Sequence, residues 1–108
     1  MSWKVETLNE VVDAELLALP EDMQARFFRI AELIESKGLP SVGAPHVKHL
    51  AGKLWEIRMS GRNGIARAIY QAANPRRVIV LRIFVKKSQK TLHSDIELAL
   101  QRAWEIRS

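Results

Sequence analysis

The strongest constraint on the fold is a run of three alternating segments in the second half of the chain. Residues 53–60, KLWEIRMS, alternate apolar and charged side chains, which is the period-two pattern of a half-buried strand. The segments IARAIYQA at 65–72 and VIVLRIFV at 78–85 also have strand patterns, and the turn sequences GRNG and NPRR separate the three. Because Asn-Gly favours tight hairpins, the run predicts an antiparallel meander of three strands.

The first half of the chain has the pattern of a short strand followed by two helices. Residues 3–8 alternate as a strand, and Asn9 is a suitable N-cap for the helix that follows. Pro20 interrupts that helix and suits the first turn of a second one, which Gly38 is well placed to end. These signals predict a helical hairpin over about residues 9–37.

The remaining segments complete the predicted order. Residues 38–52 are rich in glycine and proline and predict a loop. Ser94 and Glu97 match a capping box ahead of an amphipathic C-terminal helix. The order β-α-α-β-β-β-α predicts one α+β domain over residues 1–108, an antiparallel sheet with the N-terminal helical hairpin and the C-terminal helix on one face. The predicted core includes the three tryptophans and one side of the last strand: Trp3, Trp55, Trp104, Ile79, Leu81, Ile83 and Val85.

Composition excludes several classes of protein. The chain has no cysteine, which excludes a disulfide scaffold, a thiolate zinc site and thiol catalysis. Neither a signal peptide nor an apolar run of about 20 residues is visible, so we expect a soluble, cytoplasmic protein with no membrane partner. His46 and His49 have no further metal ligands near them, and no glycine-rich phosphate loop is present. We therefore expect no metal and no cofactor.

Positive charge is concentrated in the middle of the chain. The segment from His46 to Lys90 holds eleven Lys/Arg and one acidic residue, Glu56, for a net charge of +10, whereas the rest of the chain carries −5. A basic middle between acidic flanks indicates a polyanion that binds one surface. The alternative is a soluble domain whose basic face has no specific use.

Arginines within the predicted strands are candidates for gripping phosphate. Arg67 lies in mid-strand between two isoleucines, an unusual place for a charge that serves only solubility, and Arg58 and Arg82 lie opposite apolar neighbours. Tyr70 and Phe84 could stack a nucleobase. The structural alternatives are an ion pair between Arg67 and a carboxylate on a packed helix, and plain core packing for the two aromatic rings.

Three stretches taken together resemble the RelE/ParE toxin superfamily, most closely its HigB-type, phage-derived branch. They are LWEIRMSGRNGIARAIYQ, VIVLRIFVKKSQKT and the terminal helix DIELALQRAWEIR, and the resemblance covers nearly the whole chain. It implies the compact β-α-α-β-β-β-α fold. It also implies a toxin of a toxin–antitoxin system, an endoribonuclease (mRNA interferase) that cuts mRNA on the ribosome, inhibits translation and arrests growth. A cognate antitoxin, often a helix-turn-helix protein, would neutralise it.

The resemblance also implies site residues. Arg67 matches the arginine of an R-x-x-Y-Q strand, Arg58 matches a basic residue of the preceding strand, and Lys86 and Lys87 match a basic pair after the last strand. Glu56 departs from the family pattern, which has lysine there. The C-terminal tyrosine of RelE-type sites has no clear counterpart, and His93 is the nearest titratable group. The predicted catalytic residues are Arg58, Arg67, Lys86, Lys87 and His93, and the predicted RNA-binding residues are Lys53, Arg62, Tyr70, Arg82, Phe84 and Lys90.

The chemistry of metal-free RNA cleavage suits this set of residues. The substrate's 2′-hydroxyl attacks the adjacent phosphate, so the protein must stabilise negative charge and move two protons. Arginine is a poor proton carrier, whereas a lysine whose pKa is lowered by cationic neighbours is suitable. We expect Lys86 or Lys87 to serve, assisted by Lys90 or His93.

Two other classes of function stay open. The ParE branch of the same fold inhibits DNA gyrase and does not cut RNA, so it would be a binding module without catalytic residues. The third possibility is a non-catalytic RNA- or DNA-binding protein of phage origin. The nuclease needs Arg67 together with Lys86 and Lys87, whereas these residues are optional for the other two classes.

Overall fold

Over the residues that the structure describes, the protein folds into three α-helices, a short 3-10 helix and a five-stranded sheet. The computed structural model describes residues 2–43, 46–86 and 93–106, so that Lys87 and Lys90, two predicted site residues, lie outside the described residues. In chain order the elements are β1 (Lys4–Thr7), α1 (Glu10–Leu17), α2 (Glu21–Lys37), a short 3-10 helix (Leu39–Ser41), β2 (Val47–Ala51), β3 (Leu54–Gly61), β4 (Gly64–Ala73), β5 (Arg77–Lys86) and α3 (His93–Ala103). No helix in these ranges is both long and apolar enough to span a membrane.

The sheet has the strand order β1-β5-β4-β3-β2, which confirms the predicted meander of β3, β4 and β5. Two features differ from the prediction. β2 forms within the predicted loop and pairs with β3, because Gly52, at φ 54°, permits the tight turn between them. β1 pairs with β5 in parallel, so the sheet is mixed rather than wholly antiparallel.

Helices cover both faces of the sheet, so the prediction that they share one face is wrong. The buried side chains of α1 and α2, such as Val12 and Phe27, form one core cluster with Ile57 and Ala68 of the sheet. A second cluster joins Ala99 of α3 to apolar residues that point the other way, namely Leu54, Ile69, Ile79 and Leu81. The physical reason is that the central strands carry apolar side chains on both faces, and each face needs a covering layer.

A bulge in β5 changes which side chains face each layer. Tyr70 pairs with Val80 and Ile69 pairs with Arg82, which leaves Leu81 as an extra residue in β5. An extra residue reverses the alternation of a strand at that point. The prediction that Ile79, Leu81, Ile83 and Val85 share one side is therefore wrong, since the first two pack in the α3 cluster, Ile83 packs in the other cluster and Val85 is 42% exposed. After the bulge, Arg82 lies on the α3 side of the sheet.

The helix ends agree with the sequence at two positions and differ at a third. The Asn9 side chain accepts hydrogen bonds from the backbone N–H groups of Val11 and Val12, and Gly38 ends α2 at φ 88°. Ser94 lies inside α3, so the predicted capping box does not form. Trp104 is 89% exposed beyond α3, and its assignment to the core is also wrong.

Candidate nucleic-acid interface

The register of the three central strands brings basic side chains together on the α3 side of the sheet. Arg58 of β3 pairs with Arg67 of β4, and the next row of that face pairs Ile65 of β4 with Lys86 of β5. Side chains in directly opposed positions lie about 5 Å apart at Cβ, and diagonal neighbours lie about 7–8 Å apart. Arg58, Arg67 and Lys86, with the acidic residue Glu56, are called the basic cluster below.

Arg67 is buried and ion-paired at the centre of this cluster. Its Nη1 donates to Oε2 of Glu56 over 2.6 Å, and both side chains are 2% exposed. Nε of Arg58 lies 3.8 Å from the same oxygen, and the Arg58 side chain is 29% exposed. The carboxylate that pairs with Arg67 thus belongs to the adjacent strand, not to a packed helix. Because Arg67 is buried beneath the surface, Arg58 is the more accessible of the two guanidinium groups.

Lys86 is the second buried cation of the cluster. The residue is 6% exposed, and within the described residues its Nζ has no hydrogen-bond partner. Burial and the charge of Arg67 lower the pKa of Lys86, and the carboxylates of Glu56 and Asp95 offset only part of that change. The direction of this change is the one that favours proton exchange by a lysine.

A second group of charges on the same side of the sheet joins β5 to two helices. The carboxylate of Glu15 in α1 accepts hydrogen bonds from Arg82 (2.8 Å), Arg102 (3.0 Å) and the backbone N–H of Ile83 (3.0 Å). Arg82 also donates to Asp95 of α3 over 3.1 Å. Glu15, Arg82, Asp95 and Arg102 are called the ionic bridge below.

Hydrogen bonding within the ionic bridge determines the charge of its members. Burial alone raises the pKa of Glu15, but the hydrogen bonds from Arg102, Ile83 and Arg82 outweigh burial and hold this pKa below its ordinary value. Arg82 is held by a carboxylate on each side, so its guanidinium is occupied within the fold. These two contacts give Arg82 a part in holding the fold together, and its predicted role in RNA binding stays a prediction.

The two aromatic candidates have different environments. Tyr70 is 1% exposed and packs in the core beneath α1 and α2, where burial raises its pKa to about 12. This burial leaves little of the ring exposed, and the stacking of a nucleobase on Tyr70 stays a prediction. Phe84 pairs with Arg67 and is half-buried on the α3 side, with the guanidinium carbon of Arg82 5.5 Å from its ring centre.

The other predicted site residues are dispersed. Lys53 lies in the β2–β3 turn and Arg62 in the β3–β4 turn, at opposite ends of β3. The side chain of His93 is 85% exposed, and its Nδ1 lies 3.2 Å from a carboxylate oxygen of Glu97. Within residues 2–43, 46–86 and 93–106, no group of three His, Asp or Glu side chains is arranged to hold a metal ion.

Two residues that shape this surface were not among the predicted site residues. Glu56 stood out as the one acidic residue of the basic segment and as a departure from a family pattern, and it is the buried partner of Arg67. Arg26 of α2 was not a candidate, although it lines a cavity with Arg58. Alternation within β3 indicated that Glu56 and Arg58 share a side, but no signal within the sequence placed α2 beside the edge of β3.

Comparison with known proteins identifies the fold and the family. A chain of the archaeal RelE–RelB complex from Pyrococcus horikoshii OT3 has a similar structure, with a TM-score of 0.57 and 21% sequence identity over 81% of this chain and 98% of that chain. The recognition of a RelE-like α+β fold is thereby confirmed. No curated protein matches the chain significantly. Residues 14–103 match the family described as Phage derived protein Gp49-like, and the protein belongs to that family.

Proposed function

We propose that the protein is the toxin of a toxin–antitoxin module and that it inhibits translation by cleaving mRNA on the ribosome. Membership of a phage-derived family and the RelE-like fold support the toxin class. The observation that carries the nuclease activity is Lys86, a buried lysine whose pKa is lowered by burial and by the charge of Arg67. Proton carriers in active sites have pKa values moved toward the working pH by burial and neighbouring charge.

In the proposed reaction, Lys86 acts as the general base. The amine takes the proton of a ribose 2′-hydroxyl, the 2′-oxygen forms a bond to the adjacent phosphorus, and the bond from phosphorus to the 5′-oxygen breaks. The products are a 2′,3′-cyclic phosphate and a 5′-hydroxyl, whose proton comes from water. Neither a metal nor a cofactor takes part in this sequence of bond changes.

The two arginines have different tasks in this proposal. Arg58 is partly exposed and would contact the phosphate, where a guanidinium stabilises the extra negative charge of the transition state. Arg67 is buried and would act through its charge, which keeps the pKa of Lys86 low. Glu56 fixes the position of Arg67 and limits the net positive charge of the cluster.

We also propose a cognate antitoxin as the partner that neutralises the protein. The structural relative from Pyrococcus horikoshii is known from a complex of RelE with RelB. A small helix-turn-helix protein encoded beside this chain would fit the role. The segment from His46 to Lys90, with its net charge of +10, would attract an acidic partner as well as mRNA.

A binding module without catalysis is the second candidate, either an inhibitor of gyrase or a nucleic-acid-binding protein. The observation that favours it is the burial of Arg67 against Glu56, because that ion pair removes from the surface an arginine that the nuclease site was expected to expose. Under this alternative, Lys86 would matter for folding and not for activity.

The experiment is controlled expression in bacteria with primer-extension mapping of mRNA ends. We compare wild type with Lys86→Met, and Arg29→Gln is the control because it removes one exposed charge from α2, outside the basic cluster. The proposal predicts cuts inside reading frames for wild type and Arg29→Gln, and none for Lys86→Met. Growth arrest with intact mRNA and a block of DNA supercoiling would instead establish the gyrase alternative.

A further inference from the structure

A cavity of about 360 Å³ opens at the outer edge of β3, beside the basic cluster. Residues from four parts of the chain line it: Arg26 of α2, His46 before β2, Arg58 and Ser60 of β3, and Ile65 of β4. The cavity exists because β2 begins only at Val47, so the last residues of β3 have no strand beyond them and α2 lies near the exposed edge.

The lining of this cavity is suited to an anion. Two arginines, a histidine and a serine are among its lining residues, and none of those in the described part of the chain is acidic. Arginine presents its donors in a planar fork that matches the oxygens of a phosphate. Two carboxylates lie near the lining. Arg58 is 3.8 Å from an oxygen of Glu56, and Asp22, one turn before Arg26 in α2, accepts a hydrogen bond from the backbone N–H of Arg62.

The cavity also continues the surface that includes Lys86. Ile65 lines the cavity and is the register partner of Lys86, while Arg58 belongs to both the cavity and the basic cluster. The step from β5 to β3 is two strand spacings, about 10 Å. A strand that places one phosphate at Lys86 can therefore reach across β4 with a phosphate further along its backbone.

We propose that Arg26 and His46 form a second phosphate site beside Arg58, and that this site binds a further phosphodiester of the single-stranded RNA that is cleaved at Lys86. The inference rests on the proposed function for the identity of the polyanion. The site sets the direction of the strand across the sheet, from β5 toward the edge of β3. Arg26 is its distinguishing residue, because it lies on α2, apart from the basic cluster.

The test is a binding titration by fluorescence anisotropy with a 2′-O-methyl RNA oligonucleotide, which lacks the nucleophilic hydroxyl and cannot be cut. Wild type is compared with Arg26→Gln and with Arg29→Gln, which removes the same charge from the same helix outside the cavity.

Each phosphate contact contributes about 0.7 to the slope of log K against log salt for a single strand. We expect Arg26→Gln to weaken binding about tenfold and to reduce this slope by about 0.7. Arg29→Gln should stay within about twofold of wild type. Equal losses in the two variants would overturn the site.

Two further arms identify the ligand. A DNA oligonucleotide of the same sequence that binds more tightly than the RNA would overturn the assignment to RNA. Inorganic phosphate that displaces the RNA from wild type at equal concentration would overturn the assignment to a phosphodiester chain. Because the readout is binding, the inference survives if no mRNA cleavage is found but Arg26→Gln still loses affinity. The second phosphate site is refuted, and the proposed nuclease function survives, if Lys86→Met abolishes cleavage while Arg26→Gln binds RNA like Arg29→Gln.

Discussion

Two groups of charges lie on the α3 side of the sheet, and they differ in balance. The ionic bridge pairs two carboxylates with two guanidinium groups, and Glu15 at its centre accepts hydrogen bonds from both arginines. Among the described residues, the basic cluster holds one carboxylate, that of Glu56, with Arg58, Arg67 and Lys86, for a net charge of +2 when the lysine is protonated. Asp95 of the ionic bridge also acts on the charge of Lys86. The bridge is thus complete within the fold, whereas the cluster retains positive charge.

The difference separates a structural role from a functional one. Paired and hydrogen-bonded charges can be buried without a further partner, so the bridge fixes α1 and α3 to β5. Excess buried charge costs stability, and proteins retain such strain at sites where it serves a function. The comparison predicts that removing a carboxylate harms either group, whereas removing a cation harms the fold only in the bridge.

We expect the largest loss of stability, measured as the free energy of unfolding, from Glu56→Ala. The change leaves the buried guanidinium of Arg67 without its carboxylate, and breaking a buried pair from one side costs about 3–5 kcal/mol. Urea unfolding monitored by circular dichroism measures the loss. Glu6→Ala is the control, because Glu6 pairs with Arg77 at a more exposed position and its loss should cost less than about 1 kcal/mol. Similar losses in the two variants would contradict the burial argument.

Glu15→Gln should lower the free energy of unfolding by a smaller amount, about 1–3 kcal/mol at neutral pH. The reason is that an amide cannot replace the carboxylate as the partner of both Arg82 and Arg102. The effect should depend on pH. The folded-state pKa of Glu15 is lowered, so its contribution is present above its ordinary pKa of 4.5 and is lost as the pH falls through the folded-state pKa. The free energies of unfolding of wild type and variant should therefore converge in acid. A difference in the free energy of unfolding that stays constant from pH 7 to pH 3 would refute the role of the ionised Glu15 carboxylate in stability.

Lys86→Met should act in the opposite direction and stabilise the fold by about 1 kcal/mol at neutral pH. The variant removes a buried ammonium whose charged form is disfavoured by burial and by Arg67. Because the folded-state pKa is lowered, this gain should diminish as the pH rises toward the ordinary lysine pKa of 10.5. Thermal unfolding at a series of pH values tests it, and a destabilised variant would show that Lys86 is structural.

We expect the smallest change in the free energy of unfolding from His93→Ala. Its contact with Glu97 joins two exposed side chains one turn apart in α3, and such pairs contribute about 0.5 kcal/mol or less. Denaturant unfolding at pH 5.5 and pH 8 measures this change. A loss above 1 kcal/mol would mean that His93 has a larger structural role than its exposure indicates.

The sequence predicted the elements better than their environment. Alternation and turn signals located β3, β4 and β5, and the caps at Asn9 and Gly38 were correct. β2 was hidden because glycine and proline flank a segment of only five residues. The bulge at Leu81 left no trace in the pattern, because apolar residues occupy both sides of β5 there.

The strands that carry the site residues could be predicted from the sequence, but the partners of those residues could not. The sequence placed Arg58 and Arg67 in successive predicted strands, and the register of these strands sets them side by side. Burial of Arg67 against Glu56, occupation of Arg82 by Glu15 and Asp95, and the position of Arg26 depend on contacts between distant elements. A local pattern carries no information about such contacts.

The most direct test of the contrast between the two groups is an NMR titration of the protein with a 2′-O-methyl RNA oligonucleotide. If the unbalanced group is the binding site, the shifts of backbone amides should concentrate in β3 and β4 around Arg58, Ser60, Ile65 and Arg67. The amides around Glu15 and Arg102 of the ionic bridge should remain unchanged. Shifts confined to the ionic bridge, or the absence of saturable shifts anywhere, would contradict the claim that excess positive charge marks the functional surface.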